Sequence, residues 1–119
     1  MAEEVYDPAY ASLPDKLLDI PRSLFHPDRF RIMFELYNTS TADFPQLQRD
    51  LNLSEGALAT HIRALEKDKL IEPKPEQVGG RKRTGYLLTK HGVDAMRSLL
   101  ADYVKINDAF EKVNEAVPR

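Results

Sequence analysis

Apolar residues recur at helical spacing in two segments near the start of the chain. Residues 13–24 predict a short helix that is interrupted or ends near Pro21, because a proline inside a helix breaks its hydrogen bonding. A second helix is predicted to begin at Pro27 and to end at residues 38–41. Proline suits the first helical turn, and the negative charge of Asp28 interacts favourably with the positive end of the helix dipole. The apolar stripe of this second helix consists of Phe30, Ile32, Met33, Phe34, Leu36 and Tyr37.

The next segment predicts a short strand and then two helices separated by a tight turn. The strand covers residues 42–44, and the first of these helices begins at Pro45. Residues 52–54 form the turn, in which Asn52 tolerates a left-handed conformation. The following helix, residues 54–67, is expected to be capped by the Ser54 hydroxyl. The apolar faces are Leu47 and Leu51 in the first helix and Leu58, Ile62 and Leu65 in the second.

The pattern then changes to that of a β-hairpin. An extended segment from Leu70 contains two prolines, which suit only an edge or irregular strand. Gly79 and Gly80 predict the turn, and residues 84–88 predict the second strand, so that Arg81–Lys82–Arg83 form a basic tip. A helix, a tight turn, a helix and a hairpin in this order predict a winged helix-turn-helix. The fold class is therefore mainly α with a small β-hairpin (α+β).

A long helix is predicted after Thr89, which caps it, to about Ala116. Its apolar residues alternate at intervals of three and four, which is typical of a helix that pairs with a partner helix. We expect a homodimer whose recognition helices meet DNA half-sites about 34–36 Å apart. The expected organisation is a flexible arm over 1–12, the winged helix-turn-helix over 13–92 and a dimerisation helix over 93–119. The predicted interface residues are Met96, Leu99, Tyr103, Ile106, Phe110 and Val113, with Val117 continuing the pattern.

The helix over 54–67 is the predicted DNA-reading element, because its polar face is free for a major groove. Arg63 could pair with guanine or with phosphate. Glu55 could accept a hydrogen bond from cytosine, or it could only stabilise the N-terminus of its helix through its negative charge. His61 lies at the margin of this face and could instead pack against the domain. The candidate DNA-binding residues are Ser54, Glu55, Gly56, Ala59, Thr60, His61 and Arg63 in the helix, and Arg81, Lys82 and Arg83 in the wing, residues 77–84.

Charge and composition qualify this picture. The chain of 119 residues has a net charge of −2 and a pI near 5.9, which argues against a nucleic-acid binder. Residues 60–91, however, carry eight basic and four acidic residues, a net +4, which leaves −6 for the rest. The sequence contains no cysteine and no run of roughly 18 apolar residues, and its first residues lack the pattern of a signal peptide. We expect a cytoplasmic protein with no membrane partner.

Three segments resemble MarR-like and ArsR-like winged-helix transcription regulators. Residues 51–71 are similar to the helix-turn-helix core of that superfamily, residues 79–92 to its wing, and residues 25–32 to the start of its first helix. The similarity covers residues 24–96 in matching order. It implies double-stranded DNA as the partner and dimerisation through terminal helices. Asn52 and Lys69 stand where glycine is common, and without cysteine the cysteine-based metal motifs of ArsR-like sensors cannot exist.

The leading hypothesis is a homodimeric, sequence-specific transcription regulator, which we expect to be a repressor. The alternative is a winged-helix protein–protein interaction module without specific DNA binding, which the acidic pI and the apolar seam favour. A third hypothesis is a sensor that binds a small-molecule effector at the dimer interface. The sequence predicts no enzyme, cofactor or metal site, because no catalytic triad, phosphate loop or metal-ligand spacing occurs. Residues that could line an effector pocket are Tyr6, Tyr10, Tyr37 and Tyr103.

Overall fold

A computed structural model of the chain describes residues 16–116, so the predicted arm over 1–12 lies outside the described residues. The described residues form two compact units. One unit spans Ile20–Met96, and the other joins residues 16–19 to the segment that begins at Arg97. Within this second unit the amide of Leu18 donates to the Asp102 carboxylate at 2.8 Å.

The predicted helix over 13–24 is wrong for its described part. Residues 16–18 form a turn, and Leu18 has a φ of 60°, which a right-handed helix cannot contain. After Pro21 only a single turn of 3₁₀ helix follows, Arg22–Leu24. Proline therefore precedes a helical turn here rather than ending a helix.

The first α-helix among the described residues, α1, spans Pro27–Thr39 and confirms the predicted start. His26 caps it, because its Nδ1 accepts a hydrogen bond from the amide of Asp28 at 3.1 Å. The helix buries Ile32, Met33 and Leu36. Its apolar stripe is narrower than predicted, because Phe34 and Tyr37 are exposed.

The helix-turn-helix also follows the prediction closely. A two-residue strand, β1 (Ala42–Asp43), leads into α2 (Phe44–Leu51), and α3 (Glu55–Lys67) follows three residues later. Between the two helices Asn52 adopts the left-handed conformation, with φ 54° and ψ 49°.

The wing is a regular antiparallel hairpin of β2 (Ile71–Val78) and β3 (Arg81–Leu88). The turn residues Gly79 and Gly80 have positive φ values of 59° and 78°, which a two-residue turn between twisted strands requires. β1 pairs with the other side of β3, so the sheet order is β1-β3-β2. The proline-containing β2 thus lies at an edge, as predicted.

The last helix, α4, spans Lys90–Ala116. Thr89 caps it by accepting from the amide of Gly92 at 2.9 Å, and the Thr89 hydroxyl donates to the carbonyl of Lys69 at 2.6 Å. No helix among residues 16–116 is long and apolar enough to cross a membrane. The core of the unit Ile20–Met96 is formed by Leu24, Ile32, Met33, Leu36, Ala42, Leu47, Leu51, Leu58, Ile62, Leu65, Leu70, Ile71, Ala95 and Met96.

Gly92 marks a close approach between the first turn of α4 and the chain that enters β2. A Cβ at this position would collide with the carbonyl oxygen of Leu70, whereas a Cβ on Gly56 in α3 would meet no atom within 4 Å. We predict that Gly92→Ala lowers the free energy of unfolding by about 1–3 kcal/mol. The control Gly56→Ala should raise it by about 0.5–1 kcal/mol, because alanine favours the helix. Urea denaturation measures both values, and equal effects would contradict the assigned contact.

Candidate nucleic-acid interface

Local hydrogen bonds set the ends of the two helices that form the helix-turn-helix. The Asp43 carboxylate caps α2 by accepting from the amide of Gln46 at 2.9 Å. The Ser54 hydroxyl caps α3 by accepting from the amide of Ala57 at 3.2 Å, as predicted. Each cap satisfies an amide that the helix leaves without a partner. The turn therefore has one defined path, which fixes where α3 begins.

Core packing sets the rotation of α3 about its axis. Leu58 and Leu65 are 0% exposed and Ile62 is 3% exposed. With these three side chains in the core, the opposite face of the helix must face solvent. The predicted reading residues on that face are indeed exposed, except Ala59, which is half-buried. The exposed residues are Ser54, Glu55, Gly56, Thr60 and Arg63.

Two of the polar residues on this face are linked to each other. The Thr60 hydroxyl donates to the carbonyl of Gly56 at 3.0 Å, and Nη2 of Arg63 lies 3.5 Å from the Thr60 hydroxyl oxygen. The guanidinium of Arg63 therefore lies beside Thr60 with most of its five donors unused. Small residues, Gly56 and Ala59, leave space around them.

His61 is the clearest correction to the predicted site. Its side chain is not at the exposed margin of α3, since the residue is only 8% exposed. Its Nδ1 accepts from Nε of Arg29 at 3.0 Å, and its Nε2 lies 3.8 Å from the Asp28 carboxylate. The ring also packs against His26, with centroids 4.4 Å apart. Burial lowers the pKa of His61, and His26 and Arg29 lower it further, while Asp28 raises it.

Ligand-type atoms of His26, Asp28 and His61 all lie within 4.8 Å of one another. Nδ1 of both rings already accepts a hydrogen bond, from the amide of Asp28 and from Arg29 respectively. Each neutral ring therefore carries its hydrogen on Nε2 and has no free lone pair. We assign this cluster as a hydrogen-bonded contact between α1 and α3.

The first turns of α1 hold both helices of the helix-turn-helix. Arg29 reaches α3 through His61, and Nη2 of Arg31 donates to the carbonyl of Leu51, the last residue of α2, at 2.9 Å. Arg31 also pairs with Asp28 at 3.1 Å. Sequence reasoning missed these arginines, because both pairings join residues that are 20 or more positions apart.

The basic cluster of the wing lies in a strand rather than at a loop tip. Arg81, Lys82 and Arg83 are the first three residues of β3, and all three are exposed. They alternate across the hairpin, so Arg81 and Arg83 point to one face and Lys82 to the other. Nη1 of Arg83 forms a salt bridge with the Asp43 carboxylate at 3.1 Å. Arg83 is thus already paired, whereas Arg81 and Lys82 form no salt bridge among the described residues.

A groove between α2 and the wing adds residues that the sequence did not single out. It has a volume of about 370 Å³ and is flanked by Arg49 of α2 and Arg83 of β3. Gln46, Tyr86 and the start of α2 complete its lining. The Asp43 carboxylate also lines the groove, where it caps α2 and pairs with Arg83, so the guanidinium of Arg49 is the group that suits a phosphate. The sequence did contain a signal for Arg49. It lies two residues after Leu47, which places it away from the apolar face of the helix, and the structure shows it exposed.

The apolar seam predicted for α4 is only partly covered by the chain itself. Met96 and Leu99 are buried within the chain, so they are not free to meet a partner. Ile106 and Val113 are half-buried, while Tyr103 and Phe110 are exposed. The exposed pair lies further along the same seam, beside Leu100 and Val104, which are also exposed. We call Leu100, Tyr103, Val104 and Phe110 the outer apolar face.

The order α1, β1, α2, turn, α3 and wing defines a winged helix-turn-helix. A family model for the winged helix DNA-binding domain matches residues 29–106. The chain therefore belongs to the winged helix DNA-binding domain family.

Three comparisons place this chain beside known proteins. An uncharacterized protein of Methanocaldococcus jannaschii is 28% identical over 83 residues, which cover 70% of this chain and 90% of that protein. The structure of a transcriptional regulator homologue from Pyrococcus horikoshii is 29% identical, with a TM-score of 0.70, and covers 80% of this chain and 94% of its own. A MarR-family transcriptional regulator from Enterococcus faecalis shares the fold, with a TM-score of 0.64 at 19% identity over 95% of this chain and 96% of its own.

Proposed function

We propose that this chain is a homodimeric, sequence-specific DNA-binding transcription regulator that represses by occupying its operator. α3 enters the major groove, and the wing over 77–84 contacts the phosphate backbone or the minor groove. The winged-helix family and the likeness to transcriptional regulators support DNA binding. Repression, dimerisation and the roles of individual residues are our proposals.

The observation that carries this proposal is the orientation of α3. Its apolar face is buried in the core, and its exposed face presents Thr60 and Arg63 among small residues. A helix can enter a major groove only if its outer face is free of bulky apolar side chains and carries hydrogen-bonding groups. We assign base contacts to this face.

The wing and the groove beside α2 supply the contacts that do not depend on sequence. Arg81 and Lys82 are exposed cations that can meet phosphates directly. Arg49 and Arg83 flank the groove beside α2, where a phosphate would gain from both side chains. Arg83 would exchange part of its pairing with Asp43 for this contact.

The outer apolar face of α4 supports the homodimer. Phe110 and Val104 are 60% and 59% exposed, and Tyr103 is 46% exposed. Apolar residues in one continuous face of a long helix are costly in water and are typical of an interface. A two-fold pair would present two copies of α3 to half-sites about one DNA turn apart.

The first prediction concerns the salt dependence that the wing contributes. The double variant Arg81→Ala/Lys82→Ala should weaken binding to operator and to unrelated DNA alike. The slope of log K against log salt should become shallower by about 1–2, because each lost phosphate contact removes about 0.9. The control Lys112→Ala changes an exposed cation of α4 and should leave the slope unchanged. An unaltered slope in the wing variant would remove the wing from the interface.

The second prediction concerns selectivity. We expect Arg63→Ala to weaken operator binding by about 1–3 kcal/mol, roughly 5- to 150-fold, while binding to unrelated DNA changes little. The operator is first obtained by selection from a random DNA library, and the dissociation constants are then compared by fluorescence anisotropy. If the variant binds operator and unrelated DNA more weakly by the same factor, Arg63 contacts phosphate rather than a base.

The third prediction concerns the dimer. Val104→Glu and Phe110→Ser should shift the protein from dimer to monomer in sedimentation equilibrium, because they make the outer apolar face polar. Both positions are exposed in the single chain, so the fold should remain intact by circular dichroism. Lys112→Glu, an exposed charge change elsewhere on α4, should leave the dimer intact. A monomeric starting protein would contradict this part of the proposal.

The alternative function is a protein–protein interaction module, which the outer apolar face favours. A chain that selects no sequence from a random DNA library, yet is well folded, would support this alternative. The effector pocket suggested by tyrosines stays a prediction. Tyr37 and Tyr103 are exposed, and Tyr6 and Tyr10 lie outside the described residues.

A further inference from the structure

His61 lies inside the helix that we assign to DNA reading, yet its side chain is buried against α1. It is 8% exposed and follows Thr60, an exposed residue of the reading face. Its hydrogen bond with Nε of Arg29, at 3.0 Å, links the middle of α3 to the first turn of α1. The guanidinium also lies 3.5 Å from the carbonyl of Ser23 in the 3₁₀ helix. One side chain of α1 thus connects the reading helix to two other elements.

The hydrogen-bond pattern fixes the protonation state that this contact requires. Arg29 only donates, so Nδ1 of His61 must present a lone pair. The hydrogen of the neutral ring therefore lies on Nε2, on the side of the Asp28 carboxylate, 3.8 Å away. A protonated His61 would carry hydrogen on both nitrogens and would place an N–H against the N–H of Arg29. Protonation therefore replaces an attraction with a repulsion between two cations.

We propose that His61 is a positioning residue whose neutral ring holds α3 in its DNA-reading orientation, so that acidification weakens operator binding. This inference rests on the proposed DNA-binding function. When the ring gains a proton, Arg29 loses its acceptor, and the polar contact of α3 with α1 shifts from Arg29 to the Asp28 carboxylate. The apolar contacts of Leu58, Ile62 and Leu65 keep the helix folded, but the reading face is no longer held at one angle.

The groups that act on His61 all come from the start of α1. They are His26, Arg29 and Asp28, and only the Asp28 carboxylate favours the charged ring. Other elements among the described residues also pack near α3, namely the 3₁₀ helix, α2 and β2. None of them supplies a charge that shifts the pKa of His61. Since burial and two neighbouring cationic or titratable groups lower this pKa, the ring stays neutral near pH 7 and gains its proton only in more acidic solution.

The sign of the effect makes the proposal testable. Adding positive charge to a protein normally strengthens its binding to DNA. Weaker operator binding at lower pH would therefore be the reverse of the general trend and would require a group that acts through structure.

The experiment compares three variants with the unaltered full chain at constant ionic strength. His61→Asn retains an acceptor oxygen near the position of Nδ1 but cannot titrate. His61→Leu keeps the site apolar and removes the acceptor. His91→Asn removes an exposed histidine at the start of α4 and serves as the matched control. Operator dissociation constants are measured by fluorescence anisotropy at about pH 7.5 and about pH 5.5, with circular dichroism at both values.

We expect the unaltered chain and His91→Asn to bind operator several-fold more weakly at the lower pH, with about tenfold as the upper limit because the pKa of His61 is lowered. His61→Asn should bind like the unaltered chain at the higher pH and change less than about twofold with pH. His61→Leu should bind about tenfold more weakly at both values, if it folds. Binding that tightens on acidification, or a pH dependence that persists in His61→Asn, would overturn the proposal.

A second measurement is independent of DNA. Nitrogen-15 NMR of the imidazole rings distinguishes the two neutral tautomers, and we expect hydrogen on Nε2 of His61 at neutral pH. Hydrogen on Nδ1 would overturn the positioning role even if the protein binds its operator. Failure of the unaltered chain to bind any DNA at pH 7.5, with the expected tautomer present, would instead contradict the proposed function.

Discussion

The burial of one face of α3 is the constraint on which the rest of the interface depends. Burying a leucine or isoleucine side chain contributes about 1.5–3 kcal/mol, whereas an exposed ion pair contributes about 0–1 kcal/mol. Leu58, Ile62 and Leu65 are all buried, so the core outweighs a surface contact such as Arg83–Asp43 in setting the rotation of the helix. The exposed face is therefore a consequence of packing. Its chemistry can vary without altering the fold, which allows the same scaffold to read different sequences.

The core sets the approximate rotation of α3, and the polar contacts of α1 define its orientation more narrowly. Arg31 reaches the last carbonyl of α2, and Arg29 reaches His61 within α3. Apolar packing is non-directional and tolerates small rotations, while hydrogen bonds fix both distance and angle. A reading helix must present its side chains to base edges with such accuracy. In our proposal the start of α1 thus helps to orient the reading helix, although it offers no residue of its own to the reading face.

Much of this arrangement could be predicted from the sequence, because it depends on local spacing and capping. The turn at Asn52, the Ser54 cap and the buried face of α3 are of this kind. His61 lies three residues after Leu58 and four before Leu65, so its spacing indicated the inner face, but its polar character argued for the outer one. The pairing of Arg83 with Asp43 and the groove beside Arg49 depend on distant segments. In α4 the regular spacing of apolar residues could not tell which part of the seam the chain itself covers.

The most direct test of the central claim locates α3 on DNA. Because the chain has no cysteine, Lys67→Cys places a unique thiol at the end of α3 for a tethered DNA-cleaving iron chelate, and Lys112→Cys provides a control on α4. Our account predicts that the Lys67→Cys reagent cleaves a selected operator in two clusters about one helical turn apart. Cleavage spread evenly along the DNA, or equally strong cleavage from the Lys112→Cys reagent at the same positions, would contradict the assignment of α3 as the reading helix.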